Sequence, residues 1–274
     1  MSFRRTFLTI FRKSIPFIAR YWNRYEIRGL ENIASKGSKL LAINHGGGWD
    51  YDNFLIMSAL QHVQTQDPAR KKIWLFAWDK WCDSNDGFEG FWSDLYRQFS
   101  AIPIHIEKRK KTPIPWKTVD HVVDRGELMC ICPSGHSAAL YEGYRTWKFY
   151  PGVIKIHLKY KIPIIPAAHI GPIQAIPMFS NRFDPDQAYP WVDEVMLPVP
   201  LILPMKIYLH LGKPIYFEKY YDKDVDKDTL FRLAAVVREK VRNIIALYRS
   251  DVSDENPLGK KNRKYYTLPY RSDS

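Results

Sequence analysis

The stretch LLAINHGGGWD, residues 40–50, decides the predicted fold. Its first four residues are apolar and typical of a short buried strand, and a polar, glycine-rich loop follows directly. Strands that end in this way build the active sites of α/β sheets. A neutral histidine in such a loop takes a proton from a hydroxyl, and a carboxylate on its second nitrogen fixes the tautomer. We therefore predict His45 as a general base and Asp50 as the acid that orients it.

The glycines after His45 are a second feature of a catalytic loop. Gly46 and Gly47 permit a left-handed backbone and a close approach of substrate to main-chain amides, which would bind a developing oxyanion. The pattern also fits a purely structural loop, in which the glycines form a turn and the two polar side chains cap a helix. The motif by itself leaves both interpretations open.

The composition indicates one basic globular domain. The chain has 274 residues, 46% of them hydrophobic, and its 41 basic and 29 acidic residues give a net charge of +12. This charge favours an anionic partner, which is a nucleic acid, a phosphate-bearing cosubstrate or an acidic membrane surface. Three cysteines form no disulfide framework, which indicates a reducing compartment. The sequence has no apolar run of the ~18 to 20 residues that a membrane span needs and no signal-peptide pattern.

Two segments are typical of membrane contact. Residues 1–22 combine an apolar face, a cationic face and an aromatic edge, a pattern that also fits a basic helix packed on the protein's own core. The apolar segment 192–205 contains three prolines, and it is either a loop that covers the core or a surface that dips into a membrane. We expect residues 23–249 to form the main domain, residues 250–274 to form a polar basic tail, and the protein to be cytoplasmic and peripheral at the inner face of a membrane.

Strand-like and helical patterns alternate between these terminal segments. The predicted strands are residues 40–43, 73–77, 101–106, 127–132, 162–168 and 206–211, and the predicted helices are residues 54–63, 91–99, 116–123, 153–160 and 229–248. Such alternation predicts a single α/β domain with a mixed, mostly parallel β-sheet flanked by helices.

Six short motifs follow one another along the chain. They are IRGLENI (27–33), NHGGGWD (44–50), AIPI (101–104), CPSG (132–135), IPIIP (162–166) and LGKPI (211–215). Through them, residues 25–248 resemble the lysophospholipid and glycerol-phosphate acyltransferase superfamily, whose first motif is His-x4-Asp. The resemblance implies transfer of a fatty acyl group from a thioester, acyl-CoA or acyl carrier protein, to a lipid hydroxyl. It implies no metal, and no cofactor apart from the acyl donor as co-substrate.

The second and third motifs depart from the family pattern, and this bears on the acceptor. The family reads Phe-Pro-Glu-Gly where this chain has CPSG, and His105 stands where the family places an arginine for the acceptor's phosphate. Residues 133–149 resemble in part the diacylglycerol and phytyl-ester acyltransferases, which acylate neutral alcohols. The acceptor is therefore open between a phosphorylated lipid or lysophospholipid and a neutral lipid alcohol.

Substrate contacts follow from the same resemblance. They are expected at Gly46, Gly47, Pro133, Ser134, Gly135, His136, Arg145 and Lys148. Arg145 and Lys148 would hold phosphate of the donor or the acceptor, although a solvated charged face fits them equally well.

Other readings of the sequence are weaker. A covalent route through Ser134 or Ser137 lacks the Gly-x-Ser-x-Gly elbow. A metallohydrolase lacks further ligands at a recognisable spacing. A catalytically idle relative that binds lipid fits the altered third motif, and a nucleic-acid-binding protein fits the charge but has no motif of fixed spacing. We expect an acyl thioester, a lipid acceptor and a membrane surface as partners, and no nucleic acid.

Overall fold

A mixed β-sheet forms the centre of the protein. The described residues of the computed structural model are 3–47, 50–66, 72–79, 82, 87–105, 113–135, 137, 140–180, 196–198 and 201–252. The strands are β1 (Glu26–Arg28), β2 (Lys39–Ile43), β3 (Ile73–Trp78), β4 (Ala101–Ile104), β5 (Leu128–Ile131), β6 (Ile164–Ile170), β7 (Met178–Ser180), β8 (Met196–Pro198) and β9 (Tyr208–Leu211). Seven of them form one sheet with the order β1-β9-β6-β2-β5-β3-β4, and β7 pairs with β8 in a small second sheet.

All neighbours in the large sheet run parallel except β6 and β9, which are antiparallel. The helices are α1 (Phe3–Phe17), α2 (Tyr51–Gln66), α3 (Gly87–Gln98), α4 (Trp116–Asp124), α5 (Gly152–Tyr160), α6 (Pro172–Ala175) and α7 (Lys227–Tyr248). Residues of α1, α2 and α3 pack on one face of the sheet, and residues of α4, α5 and α7 pack on the other. The predicted α/β domain with a mostly parallel sheet flanked by helices is confirmed.

Strand β2 lies in the middle of the sheet, and all five of its residues are buried. It pairs in parallel with β5 on one side and with β6 on the other. After β2, the chain forms β3, β4 and β5 on one side of β2 and then crosses to β6 on its other side. The direction in which strands are added to the sheet therefore reverses at β2. The loop after β2 therefore opens at the switch point of the sheet, where ligands bind in open α/β folds.

The N-terminal segment is helical, as predicted. Helix α1 continues into a π-helical turn, Ile18–Trp22. Ile15 and Ala19 are buried in the core beside α2, while Ile10 and Phe17 remain largely exposed. One face of this segment thus covers the protein's own core and another faces solvent. The boundaries at residues 22 and 249 stay a prediction, and residues 253–274 of the tail lie outside the described part of the chain.

Strand β6 extends further than the sequence predicts. The predicted strand ended at residue 168, whereas the observed one runs to Ile170 and continues through Pro166. All seven of its residues are buried. As a result, His169 belongs to the sheet and not to the loop that follows it.

Candidate active site

The loop between β2 and α2 brings three titratable side chains together. His45 follows the C-terminal end of β2, and Asp50 and Asp52 stand at the start of α2. Gly47 has a φ of 75°, which glycine adopts without steric cost. Asp50 has a φ of 62°, a conformation that aspartate tolerates better than most residues. These left-handed residues turn the chain so that the acids face the histidine.

The carboxylate nearest to His45 is that of Asp52. Its Oδ2 lies 2.8 Å from His45 Nδ1, whereas Asp50 Oδ1 lies 3.5 Å from Nε2. Asp52 is therefore the nearer carboxylate and contacts Nδ1, while Asp50 faces Nε2, and the role of Asp50 as orienting acid stays a prediction. The reason for this arrangement is the start of α2 at Tyr51, which directs the next side chain, Asp52, into the core with 1% of it exposed. A carboxylate seven positions after His45 and two before the predicted helix 54–63 was the signal available in the sequence.

Asp52 is fixed by the helix that carries it. Its Oδ1 accepts a hydrogen bond of 2.9 Å from the backbone N–H of Asn53. Unpaired amides at a helix N-terminus favour a negative charge there. Asp50 is held by Asn53 in turn, whose side-chain amide donates to Asp50 Oδ1 over 3.0 Å. Both carboxylates are thus positioned before any substrate binds.

The environment of His45 favours its charged form. Burial lowers the pKa of this histidine, but the charge of Asp52 and the hydrogen bonds with Asp50 and Asp52 outweigh it, so the pKa is raised well above its usual value. A general base must be neutral before it accepts a proton. A general base at this position would therefore be active only where the pH is high enough to deprotonate the ring.

Neighbouring strands supply the walls of the site. The side chain of Asn44 binds the backbone of His169 twice, accepting from its N–H at 2.8 Å and donating to its carbonyl at 3.1 Å. Cys132 follows β5 on the other side and interacts electrostatically with His45. Burial raises the pKa of the Cys132 thiol, so it stays protonated. Neither His169 nor Cys132 was predicted as a site residue, because their proximity depends on strand pairing and not on local motifs.

The third motif forms a tight turn directly after β5. The backbone N–H of Gly135 donates to the carbonyl of Cys132 over 3.0 Å, and Pro133 and Ser134 are buried. The turn lies beside β2 because β5 pairs with β2. Pro133, Ser134 and Gly135 thus follow Cys132, which interacts with His45, while His136 lies outside the described residues. Their contacts with substrate stay a prediction.

The two predicted phosphate-binding cations lie in different surroundings. Arg145 follows Tyr144, whose hydroxyl accepts from the N–H of Gly171 at the end of β6, and the Arg145 guanidinium stacks 4.5 Å from the centre of the Trp147 ring. Lys148 lies 4.4 Å from the ring centre of Phe231 in α7, on the face of the sheet opposite α2. The loop of Arg145 is thus tied to the end of β6 through Tyr144, and Lys148 packs against α7. Their phosphate contacts stay a prediction.

His45, Asp50 and Asp52 also form the one group with metal-ligand character among the described residues. Their donor atoms all lie within 4.8 Å of one another. Because Nδ1 of His45 is engaged by Asp52, a cation would meet Nε2 and Asp50 first. The prediction of a metal-free reaction stays a prediction.

A comparison with protein families identifies the class of protein. Residues 24–170 match the family model described as Acyltransferase. This match spans more than half of the chain, so the protein belongs to the acyltransferase family. The resemblance inferred from the six motifs is thereby confirmed.

Known relatives and a solved structure fit this assignment. The chain is 25% identical over 256 residues to an uncharacterized protein of Mycobacterium leprae and 27% identical over 256 residues to an uncharacterized protein of Mycobacterium tuberculosis. Each alignment covers 88% of this chain but only 64 and 65% of those proteins. The crystal structure of a 1-acyl-sn-glycerophosphate acyltransferase from Thermotoga maritima superposes with a TM-score of 0.51 at 14% identity, over 89% of this chain and 81% of that one. At this identity the likeness concerns the fold.

Proposed function

We propose that the protein transfers a fatty acyl group from a thioester to the hydroxyl of a lipid acceptor, with His45 as general base. The observation that carries this proposal is the hydrogen-bonded pair of His45 and Asp52 at the switch point of an acyltransferase-family sheet. A histidine held through Nδ1 by a buried carboxylate has its Nε2 directed at the reacting group. The pair thus has the geometry of a base and its orienting acid.

The proposed reaction is direct attack of the acceptor on the thioester. Nε2 of His45 takes the proton of the acceptor hydroxyl as its oxygen bonds to the acyl carbon, and Asp52 stabilises the imidazolium that results. Amides of the Gly46–Gly47 loop stabilise the oxyanion. The carbon–sulfur bond then breaks, and the imidazolium returns the proton to the leaving thiolate. Asp50, near Nε2, occupies the side from which the hydroxyl approaches.

Two observations support direct transfer over an acyl-enzyme. The Cys132 thiol stays protonated because burial raises its pKa, and a thiol is a poor nucleophile in that form. Ser134 is buried in the turn after β5, with 3% of its surface exposed. The proposed donor is acyl-CoA or acyl carrier protein. We propose that substrate is contacted by six further residues, Pro133, Ser134, Gly135, His136, Arg145 and Lys148.

A surface beside this site is suited to contact a membrane. We define the apolar patch as Phe17, Tyr21, Trp22, Leu201 and Met205, which are 65, 62, 50, 59 and 41% exposed. The rings of Phe17 and Tyr21 are 4.8 Å apart, and Trp22 Nε1 donates to the carbonyl of Ile202, which joins the two segments. The exposed cations Arg20 and Arg24 flank the patch. Aromatic and cationic groups around apolar side chains bind the headgroup region of anionic bilayers.

The patch is linked to the catalytic loop through one buried residue. The side-chain amide of Asn23 donates to the carbonyls of Leu203 and Met205, and its Oδ1 accepts from the hydroxyl of Tyr51 over 2.6 Å. Tyr51 directly precedes Asp52. A bilayer on the patch would therefore present lipid close to His45, and we propose peripheral binding at the inner face of a membrane. Within the described residues, no helix is both long and apolar enough to cross a bilayer.

Release of free thiol from acyl-CoA tests the proposed reaction. Wild-type protein and His45→Gln would be given one labelled acyl-CoA and a panel of neutral and phosphorylated acceptors, with the products identified by mass spectrometry. Loss of the base should lower the rate by about 10²- to 10⁴-fold. Thermal unfolding of both proteins controls for folding. His45→Gln activity within tenfold of wild type would refute the assignment, and an inactive wild type that still binds lipid would establish the idle relative instead.

A further inference from the structure

A buried pair of polar side chains beside His45 lacks partners. His169 is fully buried, and no described residue lies within hydrogen-bonding distance of its Nδ1 or Nε2. The same holds for the hydroxyl of Tyr25, whose ring packs edge-on against His169 with the ring centres 5.5 Å apart. Three polar atoms are thus gathered in the core without a hydrogen bond from the described part of the chain.

Strand pairing places this pair next to the catalytic base. Ile43, the last residue of β2, is in register with Ala167 of β6. His45 lies two residues beyond Ile43 in the loop and His169 two residues beyond Ala167, and the two rings are close enough for the charge of His45 to act on His169. Asn44 holds the backbone of His169 in this position through two hydrogen bonds. The unpaired atoms are therefore fixed at the site and not at a remote place in the core.

Leaving such atoms unpaired costs stability. A buried polar group without a hydrogen bond costs roughly 1–3 kcal/mol, and an apolar residue of similar shape avoids that cost. Buried polar groups in folded proteins are nearly always paired, so an exception beside a catalytic residue indicates a partner that binds there. His157 shows the usual arrangement, since its ring pairs with the carbonyl of Ile162 and the backbone N–H of Phe217.

We propose that His169 and Tyr25 form the acceptor-binding site, and that they pair with oxygen atoms of a neutral alcohol such as the glycerol portion of a diacylglycerol. This inference rests on the proposed function and names the acceptor class for it. A neutral imidazole offers one donor and one acceptor, and a phenol hydroxyl offers both. Hydroxyl and ester oxygens match this set, whereas neither side chain offers the charge-assisted donors that favour a phosphate.

The charge state of both groups agrees with a neutral ligand. Burial lowers the pKa of His169 to about 3, and the charge of His45 adds to the effect. Burial likewise raises the pKa of the Tyr25 hydroxyl, with a further contribution from Asp52. Neither side chain is therefore charged near neutral pH.

The glycine loop controls access to these atoms. A Cβ at Gly46 would lie 3.5 Å from the Cβ of His169, so the loop packs directly on this residue. Both ring nitrogens of His169 are buried in this structure. Binding of the acceptor must therefore shift the loop or rotate the ring, and the left-handed Gly47 supplies a hinge.

Substitution of the two buried histidines tests the inference. His169→Phe should leave thermal stability unchanged or raise it, whereas the control His157→Phe should lower it by removing two hydrogen bonds. With 1,2-dioctanoylglycerol as acceptor, His169→Phe and Tyr25→Phe should lower kcat/KM by ~10- to 100-fold, because they remove the paired atoms, and leave KM for acyl-CoA within about twofold. His169→Gln, which keeps a donor and an acceptor, should restore part of the loss.

Three results would overturn the inference. They are destabilisation of His169→Phe as large as that of His157→Phe, unchanged acceptor kinetics in His169→Phe, and a wild type that binds 1-oleoyl-lysophosphatidate but not dioctanoylglycerol. Ligand-induced thermal shifts separate this inference from the proposed function. If no acceptor gives turnover but dioctanoylglycerol stabilises wild type and not His169→Phe, the acyl-transfer proposal fails and the neutral-alcohol site stands.

Discussion

Asp50 and Asp52 face different nitrogens of one imidazole, and their contributions to acyl transfer should differ accordingly. Asp52→Asn removes the charge that stabilises the imidazolium on Nδ1, so we expect kcat to fall by ~10²-fold or more. Asp50→Asn changes the group near Nε2 and should lower kcat by less than about tenfold. Steady-state thiol release from both variants, with thermal unfolding as a control, measures the difference. A larger loss in Asp50→Asn would restore Asp50 as the orienting acid.

The same pair of variants should differ in their dependence on pH. Because the pKa of His45 is raised, chiefly by Asp52 against the opposing effect of burial, the neutral base of the wild type is lost as the pH falls through a midpoint above about 6.5. Asp52→Asn removes that charge, so the midpoint of kcat/KM should move to lower pH even though the maximum activity drops. An unchanged midpoint would show that Asp52 does not set the protonation of His45.

At the residue scale, the sequence was sufficient to single out His45 but not the buried carboxylate of Asp52 beside it. His45 and the glycines stand out because strand, histidine and glycine loop are contiguous. The choice between Asp50 and Asp52 depends on which way each side chain points, and that is set by the first residue of α2, a boundary that periodicity does not locate closely. The sequence could not predict His169 as a site residue for another reason. It lies 125 positions from Asn44 and contacts it only because their strands pair in the sheet.

At the element scale, the end of the α1 segment and residues 201–206 act together as one surface. Replacing Phe17 and Trp22 with serine removes two exposed aromatic side chains of the apolar patch, so binding to vesicles that contain anionic lipid should weaken by ~10-fold or more. Leu247→Ser is the matched control, because Leu247 is 71% exposed in α7 and lies outside the patch. Co-sedimentation with vesicles measures the effect. Equal binding of all three proteins would exclude the patch as the membrane contact.

The elements themselves were largely predictable. The predicted strands and helices agree with the observed ones in type, because apolar runs of strand length alternate with amphipathic helices. The antiparallel direction of β9 and the small sheet of β7 and β8 were not predicted, since a local pattern carries no information on strand direction. The extension of β6 to Ile170 was missed because Pro163 and Pro166 suggested a strand confined between prolines.

At the scale of the whole molecule, the two buried histidines should make the fold sensitive to acid. Burial lowers the pKa of His157 and, more strongly, of His169. Below about pH 6.5 the unfolded chain therefore binds protons that the folded chain does not. The free energy of unfolding contributed by these two histidines is fully present above that pH and declines below it. For His169, whose pKa in the folded protein is about 3, the decline reaches about 1.4 kcal/mol per pH unit. His45 has the opposite shift, and its contribution is lost only as the pH rises through its raised pKa.

Urea unfolding at pH 7, 6 and 5 measures this effect. We expect the free energy of unfolding to fall steadily over that range in the wild type, and less steeply in His169→Phe, which lacks the group with the larger shift. The carboxyl groups whose pKa is lowered by salt bridges or hydrogen bonds, such as Asp120 and Asp226, act at still lower pH. If the free energy of unfolding fell equally steeply with pH in both proteins, His169 would not be neutral in the folded state.

The pairing of Asn44 with His169 also sets the order in which the protein acquires its site. The two residues are separated by 125 positions, and contacts of such long range form late because a large loop must close first. A chain emerging from the ribosome carries His45 and Asp52 early, but it has no wall for an acceptor until β6 has been made and inserted beside β2. Partly synthesised chains should therefore be inert towards thioesters, and the candidate site is complete only after β6 has joined the sheet.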